Sequence, residues 1–434
     1  MDHLADNNHL SESLFLQTSS AWKSFCAISR SEWWERLWTV QEAILPPDAL
    51  LVFGHSRTSW NRVADAEINT FRHRYRCCSS VFERISQEMA EQLTKSLTRI
   101  RQITNPRTTL NTLRYIPAMR DLISSFSDRL CHDPRDRIYG LLGLFDYGVD
   151  LGIIPDYTLE PHHIYVSAFQ KMAEQRGRDL WTFVGSNFTS ANCYLPSWVP
   201  DFGIKLDNRT RDADIQRRSH YYLYNASRNK VASLVFLDCS AIRLRGVLAD
   251  VVSRVKHMLP SNSHEAGIPE LLSWSVSVDH EIDPCCDTLW RTLTADVTLN
   301  RLTGSGRRLG SSDHELFKSY TRWRSRFGSN PSFLDSTDDV KARIFTDSIY
   351  DAVYNRSFFI TRNGRLGIGP SGTQPGDHVW VLFGGRVPFV LRPSQNAGHA
   401  KSRENTFVGD CYLHGIMDGE CLNGNHKTKT VVLR

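Results

Sequence analysis

SRSEWWERLWTVQEAIL runs from Ser29 to Leu45 and places three tryptophans within six residues, ending in Gln41-Glu42. At about 100° per residue, Trp33, Leu37, Val40 and Ile44 form one stripe. Trp34, Trp38, Gln41 and Leu45 form a second stripe beside it. Glu32, Glu35, Arg36 and Thr39 take the opposite face. The pattern predicts one helix over 30–45, opened by a capping box between Ser29 and Glu32 and stopped by Pro46-Pro47. Trp34, Leu37, Trp38 and Ile44 should be buried in it. Glu42 falls one turn after Trp38, at the edge of the apolar arc. A partly desolvated carboxylate there would suit acid/base work or hydroxyl binding. A boundary glutamate paired with Arg36 or Arg57 fits the same spacing.

Outward from this stretch, "ALLVFG" (49–54) has the look of a short buried strand ended by Gly54, and Ser59 can cap a helix starting at Trp60. Residues 72–104 contain neither Gly nor Pro. They predict a long helix with a possible break near Cys77-Cys78, and a second helical segment follows over about 108–126. In "CHDPRDRIYGLLGLF" (131–145) Asp133 is the expected N-cap, Pro134 the first helical residue, and Arg135 and Asp136 complete the first turn. Pro161 opens a further helix and Gly177 closes it. After "LPSWVPDF" (195–202) the composition shifts, and residues 219–256 alternate as strands do. Helices return at about 264–278, 283–294, 312–327 and 336–355. The last stretch predicts hairpins: 357–369 around Asn363-Gly364 as a type I′ turn, 377–392 around Gly384-Gly385, and a strand in 407–417.

A length of 434 residues fits two or three domains, and the elements above divide it into regions 1–65, 66–202, 203–355 and 356–434. The net charge of +5 is too small to imply a nucleic-acid partner or an anionic membrane. The ten cysteines form no C-x-x-C, which argues against a zinc ribbon or a disulfide-stapled module and suits reduced thiols in the cytoplasm or nucleus. "MDHLADNNHL" lacks the basic and apolar regions of a secretory leader, and no run of 18 apolar residues predicts a membrane span. The sequence has no P-loop, no G-x-G-x-x-G and no G-x-S-x-G, so no cofactor is expected. His162-His163 point in different directions on a helix and make a poor metal site, so no metal is expected. Cys411, His414 and Asp418 could form a nucleophilic set, but they fall in a stretch that fits strand and turn better.

"SEWWERLWTVQEAIL" resembles the closing motif of the fungal heterokaryon-incompatibility (HET) domain, roughly R-x-W-x-x-R-x-W-x-x-Q-E. Trp34, Arg36 or its neighbour, Trp38, Gln41 and Glu42 occupy the matching places. "LVFGHSRTSWNRV" (51–63), "DPRDRIYGLLGL" (133–144) with Asp133, Arg135 and Asp136, "IPDYTLEPHHIYVSAF" (154–169) and "LPSWVPDF" (195–202) resemble segments that follow it in that family. "GDHVWVLFGGRVPFVLRP" (376–393) and "FVGDCYLHGIMDGE" (407–420) resemble its C-terminal β segment. Together the motifs are spread over most of 30–420, in order.

The resemblance implies an α+β protein. Its N-terminal half would be mostly helical and hold the remnant of a TIR-like α/β HET domain. A mixed middle and a small C-terminal β-barrel or meander would follow. The family's opening patterns, L-S-Y-x-W-G and W-I-D-x-x-C-I-N-Q, do not occur here, and only ~30 residues precede the tryptophans, so a truncated HET domain is the expectation. The implied function is a non-enzymatic interaction protein in fungal non-self recognition and programmed cell death, cytoplasmic and acting through protein partners. Trp38 and Glu42 also have the W-x-x-x-E spacing of TIR-like enzymes that cleave NAD, which makes Glu42 the one catalytic candidate. Such an enzyme would need a partner to supply the absent half of its pocket. An accessory role beside a secondary-metabolite pathway is a third possibility.

Overall fold

Ser19 opens the first helix, its Oγ accepting from the Trp22 amide at 3.1 Å. The computed structural model describes residues 19–74, 78–113, 118–144, 151–177, 179–185, 194–257, 287–300, 305–327, 337–394, 404–423 and 427–434. The chain forms two compact units, Met1–Tyr157 and Thr158–Arg434. It is an α+β protein with a mostly helical N-terminal half and a barrel-like sheet toward the C-terminus. Among the described residues no helix is long and apolar enough to cross a membrane.

In the first unit, α1 (Ser20–Ser29) is followed by a 3-10 turn at Glu32–Glu35 and by α2 (Thr39–Ile44). The single helix expected over 30–45 is therefore two short pieces. Arg36 is extended (φ −82°, ψ 135°), which turns the backbone on either side of it toward Leu130. The Leu37 amide donates to the Leu130 carbonyl at 2.9 Å and the Leu130 amide to the Glu35 carbonyl at 2.5 Å. A tertiary bridge has replaced the middle of the helix. The cap is also displaced: Ser31, not Ser29, accepts from the Trp33 amide, at 3.4 Å.

The hairpin β1 (Leu50–Phe53) and β2 (Ser56–Ser59) follows. Its apolar side chains were expected to be buried, but Leu50 and Val52 are each 64% exposed. Helix α3 (Trp60–Arg72) starts at Ser59 as predicted, and α4 (Ser79–Arg84) is short. Helix α5 (Gln87–Leu113) runs straight through Pro106, so the expected separation before residue 108 does not occur. Proline removes one backbone donor, and flanking turns and tertiary contacts hold the rest of the helix. Helices α6 (Met119–Ser125) and α7 (Asp136–Leu142) complete the unit.

The second unit begins with α8 (Pro161–Arg176), opened by Pro161 and closed by Gly177 at φ +49° as the sequence predicts. Residues from 219 onward were expected to be strand. Instead α9 (Asn208–His220) crosses that boundary, because Asp207 caps it by accepting from the Arg209 and Thr210 amides at 2.9 and 3.0 Å. Strands start with β3 (Val235–Phe236) and the sixteen-residue β4 (Ile242–His257). Three helices, α10 (Asp287–Leu293), α11 (His314–Phe327) and α12 (Thr337–Val353), surround the small hairpin β5 (Val297–Asn300) and β6 (Ser305–Arg308). The helix expected at 264–278 lies outside the described residues.

The remaining strands are β7 (Arg356–Thr361), β8 (Leu366–Pro370), β9 (His378–Leu382), β10 (Phe389–Pro393), β11 (Glu404–Asp410), β12 (Tyr412–Leu413) and β13 (Lys429–Leu433). Hydrogen bonds run around the ring β4-β13-β11-β10-β9 and back to β4, so the sheet closes on itself. Among the described strands of this sheet only β11 and β13 pair in parallel. Closure is possible because β4 is long enough to pair with β13 over Ile242–Gly246, with β9 over Gly246–Val251 and with β7 beyond Val252. Gly246 is required where β4 and β9 meet: an added Cβ would lie 2.6 Å from the Val381 carbonyl oxygen. The β7–β8 turn is not type I′, since Asn363 has negative φ. The Gly364 amide instead donates to the Thr361 carbonyl and Gly364 takes φ +75°, a three-residue loop with glycine in the left-handed position.

The barrel interior is filled by Val247, Val379, Val381, Val390 and Val408 around Phe359. A second core forms where Trp290, Tyr320, Phe345 and Ile349 of the helices pack on Phe358 and Ile368 of the sheet.

Candidate functional site: the tryptophan segment and its clasp

Breaking the 30–45 segment into short pieces leaves carbonyls that no helix satisfies. Three arginines gather them. Arg107, buried in α5, donates through Nη1 to the Ala43 and Pro46 carbonyls, both at 2.7 Å, and through Nη2 to Pro47 at 2.7 Å. Burial lowers its pKa, with Asp48 opposing. Arg99 donates to Glu35 at 2.9 Å and to the Ser29 carbonyl at 3.4 Å. Arg129 donates to the Trp34 carbonyl. Trp34 itself is buried at 4% exposure, and its indole N–H donates to the Ile28 carbonyl at 2.9 Å.

Leu37 and Ile44 are buried as expected, but Trp38 is 40% exposed. With Arg36 extended, Trp38 precedes α2 and lies over α7. Its indole N–H donates to Asp136 Oδ2 at 3.1 Å, and the Tyr157 hydroxyl donates to Asp136 Oδ1 at 2.7 Å. The two motifs singled out from the sequence, around Trp38 and around Asp136, are thus brought together. Gly140 within α7 and Gly143 at its C-cap make room. A Cβ at Gly140 would sit 3.2 Å from Leu37 Cδ2, and one at Gly143 would sit 2.5 Å from Gln41 Oε1. Tyr157 is half exposed, but its hydroxyl is turned inward onto buried Asp136. That partial burial, with the hydrogen bond to Asp136, pushes its pKa up to about 12.

Helix α7 starts at Asp136 with Arg135 as its N-cap, so the expected cap at Asp133 and first helical residue at Pro134 are displaced; Asp133 instead holds the turn before the helix through Arg135. Asp133 Oδ1 accepts from the Arg135 amide at 2.9 Å and from Arg135 Nε at 2.9 Å, and Oδ2 accepts from Nη2 at 2.7 Å. The Arg135 guanidinium also lies 5.2 Å from the centre of the Tyr157 ring and donates to the Tyr157 carbonyl. The Arg135 hydrogen bonds hold the Asp133 carboxyl below its ordinary pKa. Because the folded-state pKa is depressed, its stabilising contribution is present above the unfolded carboxyl pKa and is lost as pH falls through the folded value. Asp133→Ala should destabilise the first unit by on the order of 1 kcal/mol in urea unfolding at neutral pH. The deficit should shrink in acid; an equal deficit at pH 7 and pH 3 would show that the charge plays no part.

Glu42 is exposed, and its side chain makes no hydrogen bond or ion pair with the described residues. It borders the site without joining it. The second nucleophilic candidate is dispersed as well. Asp418 pairs with Arg308 at 3.0 Å, His414 Nδ1 lies 3.0 Å from the Tyr412 hydroxyl, and burial drives the Cys411 thiol far above its usual pKa.

Sequence reasoning missed Arg99, Arg107, Arg129 and Tyr157. The arginines fall in stretches with no motif, and only burial distinguishes them from the chain's many surface arginines. Tyr157 was in view as part of "IPDYTLEPHHIYVSAF", but nothing local linked it to Asp136.

Residues 331–432 match the family model of the Het-6 beta-barrel domain. That match takes in α12 and the strands from β7 to β13, but not β4, which closes the ring. The chain is 22% identical over 462 aligned residues to "Heterokaryon incompatibility protein 6, OR allele" of Neurospora crassa, across 92% of this chain. It spans 65% of that relative's length. No solved structure matches the chain. The chain thus carries a Het-6 beta-barrel match near its C-terminus and is similar along most of its length to a fungal heterokaryon-incompatibility protein.

Proposed function

We propose that this chain acts without chemistry of its own, as a cytoplasmic interaction protein in fungal non-self recognition that leads to cell death. The relative's name supports the incompatibility role. The observation that carries the non-enzymatic reading is the use made of the acidic groups. Asp136 is committed to Trp38 and Tyr157, and Asp133 to Arg135, while Glu42 stands in solvent. General acid/base catalysis needs a carboxyl held within hydrogen-bond reach of a bound substrate, and rate comes from that positioning. An unpaired surface glutamate has neither. The W-x-x-Q-E segment then serves as a clasp that fixes Trp38 and Tyr157, both partly exposed, on the surface of the first unit where a protein partner could meet them.

Two measurements test this. Purified chain incubated with NAD should release no nicotinamide above the buffer blank, with wild type and Glu42→Gln indistinguishable. Turnover by the wild type that disappears in Glu42→Gln would replace the proposal with an NAD-cleaving enzyme. In a filamentous fungus, forced expression of the chain in one parent should lower the viability of heterokaryons with an incompatible strain. Full viability with the protein demonstrably present would remove the incompatibility role.

A further inference from the structure

Under the tryptophan segment the first unit holds a cavity of about 480 Å³. Volumes of this order accommodate small-molecule ligands. Its walls come from α1, α3, α5 and the β1–β2 hairpin, and the apolar part includes Trp22, Phe25, Trp34, Leu51, Leu97 and Ile100. Close-packed interiors do not keep empty space of this size, and this one is open to solvent where the exposed residues Ala21, Arg62 and Ala66 line it.

Two polar features lie against these apolar walls. Arg99 is only 8% exposed, and although its terminal nitrogens are engaged, its Nε–H has no acceptor. A buried guanidinium donor left unmatched is costly, and Arg99 lines the cavity. At the mouth Arg62 is exposed and makes no ion pair with the described residues. The third charged lining group, Glu67, is already neutralised by Arg101. Arg99 is likewise paired with Glu35 at 2.9 Å, so what this aromatic and aliphatic pocket offers an anion is the unmatched Arg99 Nε–H and the Arg62 charge at the mouth.

We propose that this cavity binds a small amphiphilic acid, an apolar body of roughly a dozen carbons lying against Trp22, Trp34 and Leu97 with a single carboxylate toward the arginines. The site is separate from the Trp38–Asp136 clasp and independent of the incompatibility reading. The lining serines Ser29 and Ser96 donate to the Phe25 and Gln92 carbonyls, and no metal ligand set occurs among the described residues, so the expected event is binding alone.

The probe is dodecanoate, kept below its micelle concentration and titrated into the full chain by calorimetry, with quenching of tryptophan fluorescence as a second readout. One dodecanoate per chain should bind saturably, and its uncharged methyl ester should bind at least ten-fold more weakly. Leu97→Trp fills the cavity from α5 and should abolish the site while the thermal midpoint is maintained or raised, which separates loss of binding from loss of fold. Arg99→Met should weaken dodecanoate at least ten-fold and leave the ester unchanged. The proposal fails if no saturable binding is seen, if Leu97→Trp binds as well as wild type, or if acid and ester bind equally. It fails also if binding appears only after residues 1–18 are deleted, which would make the chain's own segment the occupant.

Discussion

Replacing Arg356 by methionine is expected to destabilise the second unit by about 3–5 kcal/mol, because it removes one partner of a buried ion pair and leaves the other uncompensated. Arg356 opens β7 and Asp410 ends β11, and their side chains are 5% and 7% exposed. Nη1 donates to Asp410 Oδ2 at 3.0 Å, and Nη2 donates to the Asp410 carbonyl at 2.8 Å and to the Ile368 carbonyl at 3.3 Å. The other carboxylate oxygen of Asp410 accepts from the Gly185 amide at 2.9 Å. One guanidinium thus joins the end of β11, a strand of the closed ring, to β8, which lies outside it. Methionine fills a similar volume but offers no donor, so the Asp410 carboxylate would remain buried with the Gly185 amide as its chief support.

The check is urea unfolding followed by a spectroscopic signal from the second unit. Asp410→Asn should recover a large part of the loss when added to Arg356→Met, since it removes the stranded charge; that recovery separates electrostatics from packing. A cost below 1 kcal/mol for the single variant would mean that water reaches the pair. The same side chains line a cavity of only about 60 Å³, together with Arg217, His220 and Cys411. The cavity has room for a few waters, so the measured cost also reports how far water relieves the stranded carboxylate.

What could be read from the sequence was set by how local each determinant is. Helix α8 begins at Pro161 and ends at Gly177 because proline at the first position and glycine in the left-handed conformation act within one turn. The β7–β8 and β9–β10 hairpins were legible for the same reason, although the Asn363-Gly364 pair suggested the wrong turn type. The barrel's closure was not legible. It depends on Lys429–Leu433 pairing with Ile242–Gly246, nearly two hundred residues away, and on β4 being long enough to serve β13, β9 and β7 in turn. Nor could the apolar periodicity of 30–45 distinguish one helix from two. Both arrangements bury Trp34, Leu37 and Ile44, and the choice is made by the Arg36–Leu130 bridge and by the arginines of α5, which no pattern within the segment reveals. Of the candidate site, the chemistry-bearing residues were identified, but their partners were not. Trp38 and Asp136 were found separately, and only the structure joins them.

That division gives a sharp contrast between two tryptophans four residues apart. Trp34→Ala should cost about 3–5 kcal/mol of first-unit stability, the range for deleting a large aromatic side chain from a site that cannot collapse. Trp34 is 4% exposed, meets Trp33 edge-on at 4.9 Å between ring centres, and lies 6.1 Å from the ring of Trp60. Its indole hydrogen bond to Ile28 ties the segment to α1, and the Arg129 hydrogen bond to its carbonyl fixes the backbone, so neighbours have little freedom to fill the space. Trp38→Ala removes a ring that is 40% exposed and one hydrogen bond to Asp136, and should cost only about 1–2 kcal/mol. Had the segment been one continuous helix, with both tryptophans in its buried arc, the two losses would be alike. Unfolding of each variant in urea decides between the arrangements. A double-mutant cycle of Trp38→Phe with Asp136→Asn isolates the clasp itself, since phenylalanine keeps the ring contact and loses the donor. Coupling of about 0.5–1.5 kcal/mol is expected. Zero coupling would dissolve the clasp as the element that presents Trp38, and a Trp38→Ala cost equal to that of Trp34→Ala would place Trp38 in the core.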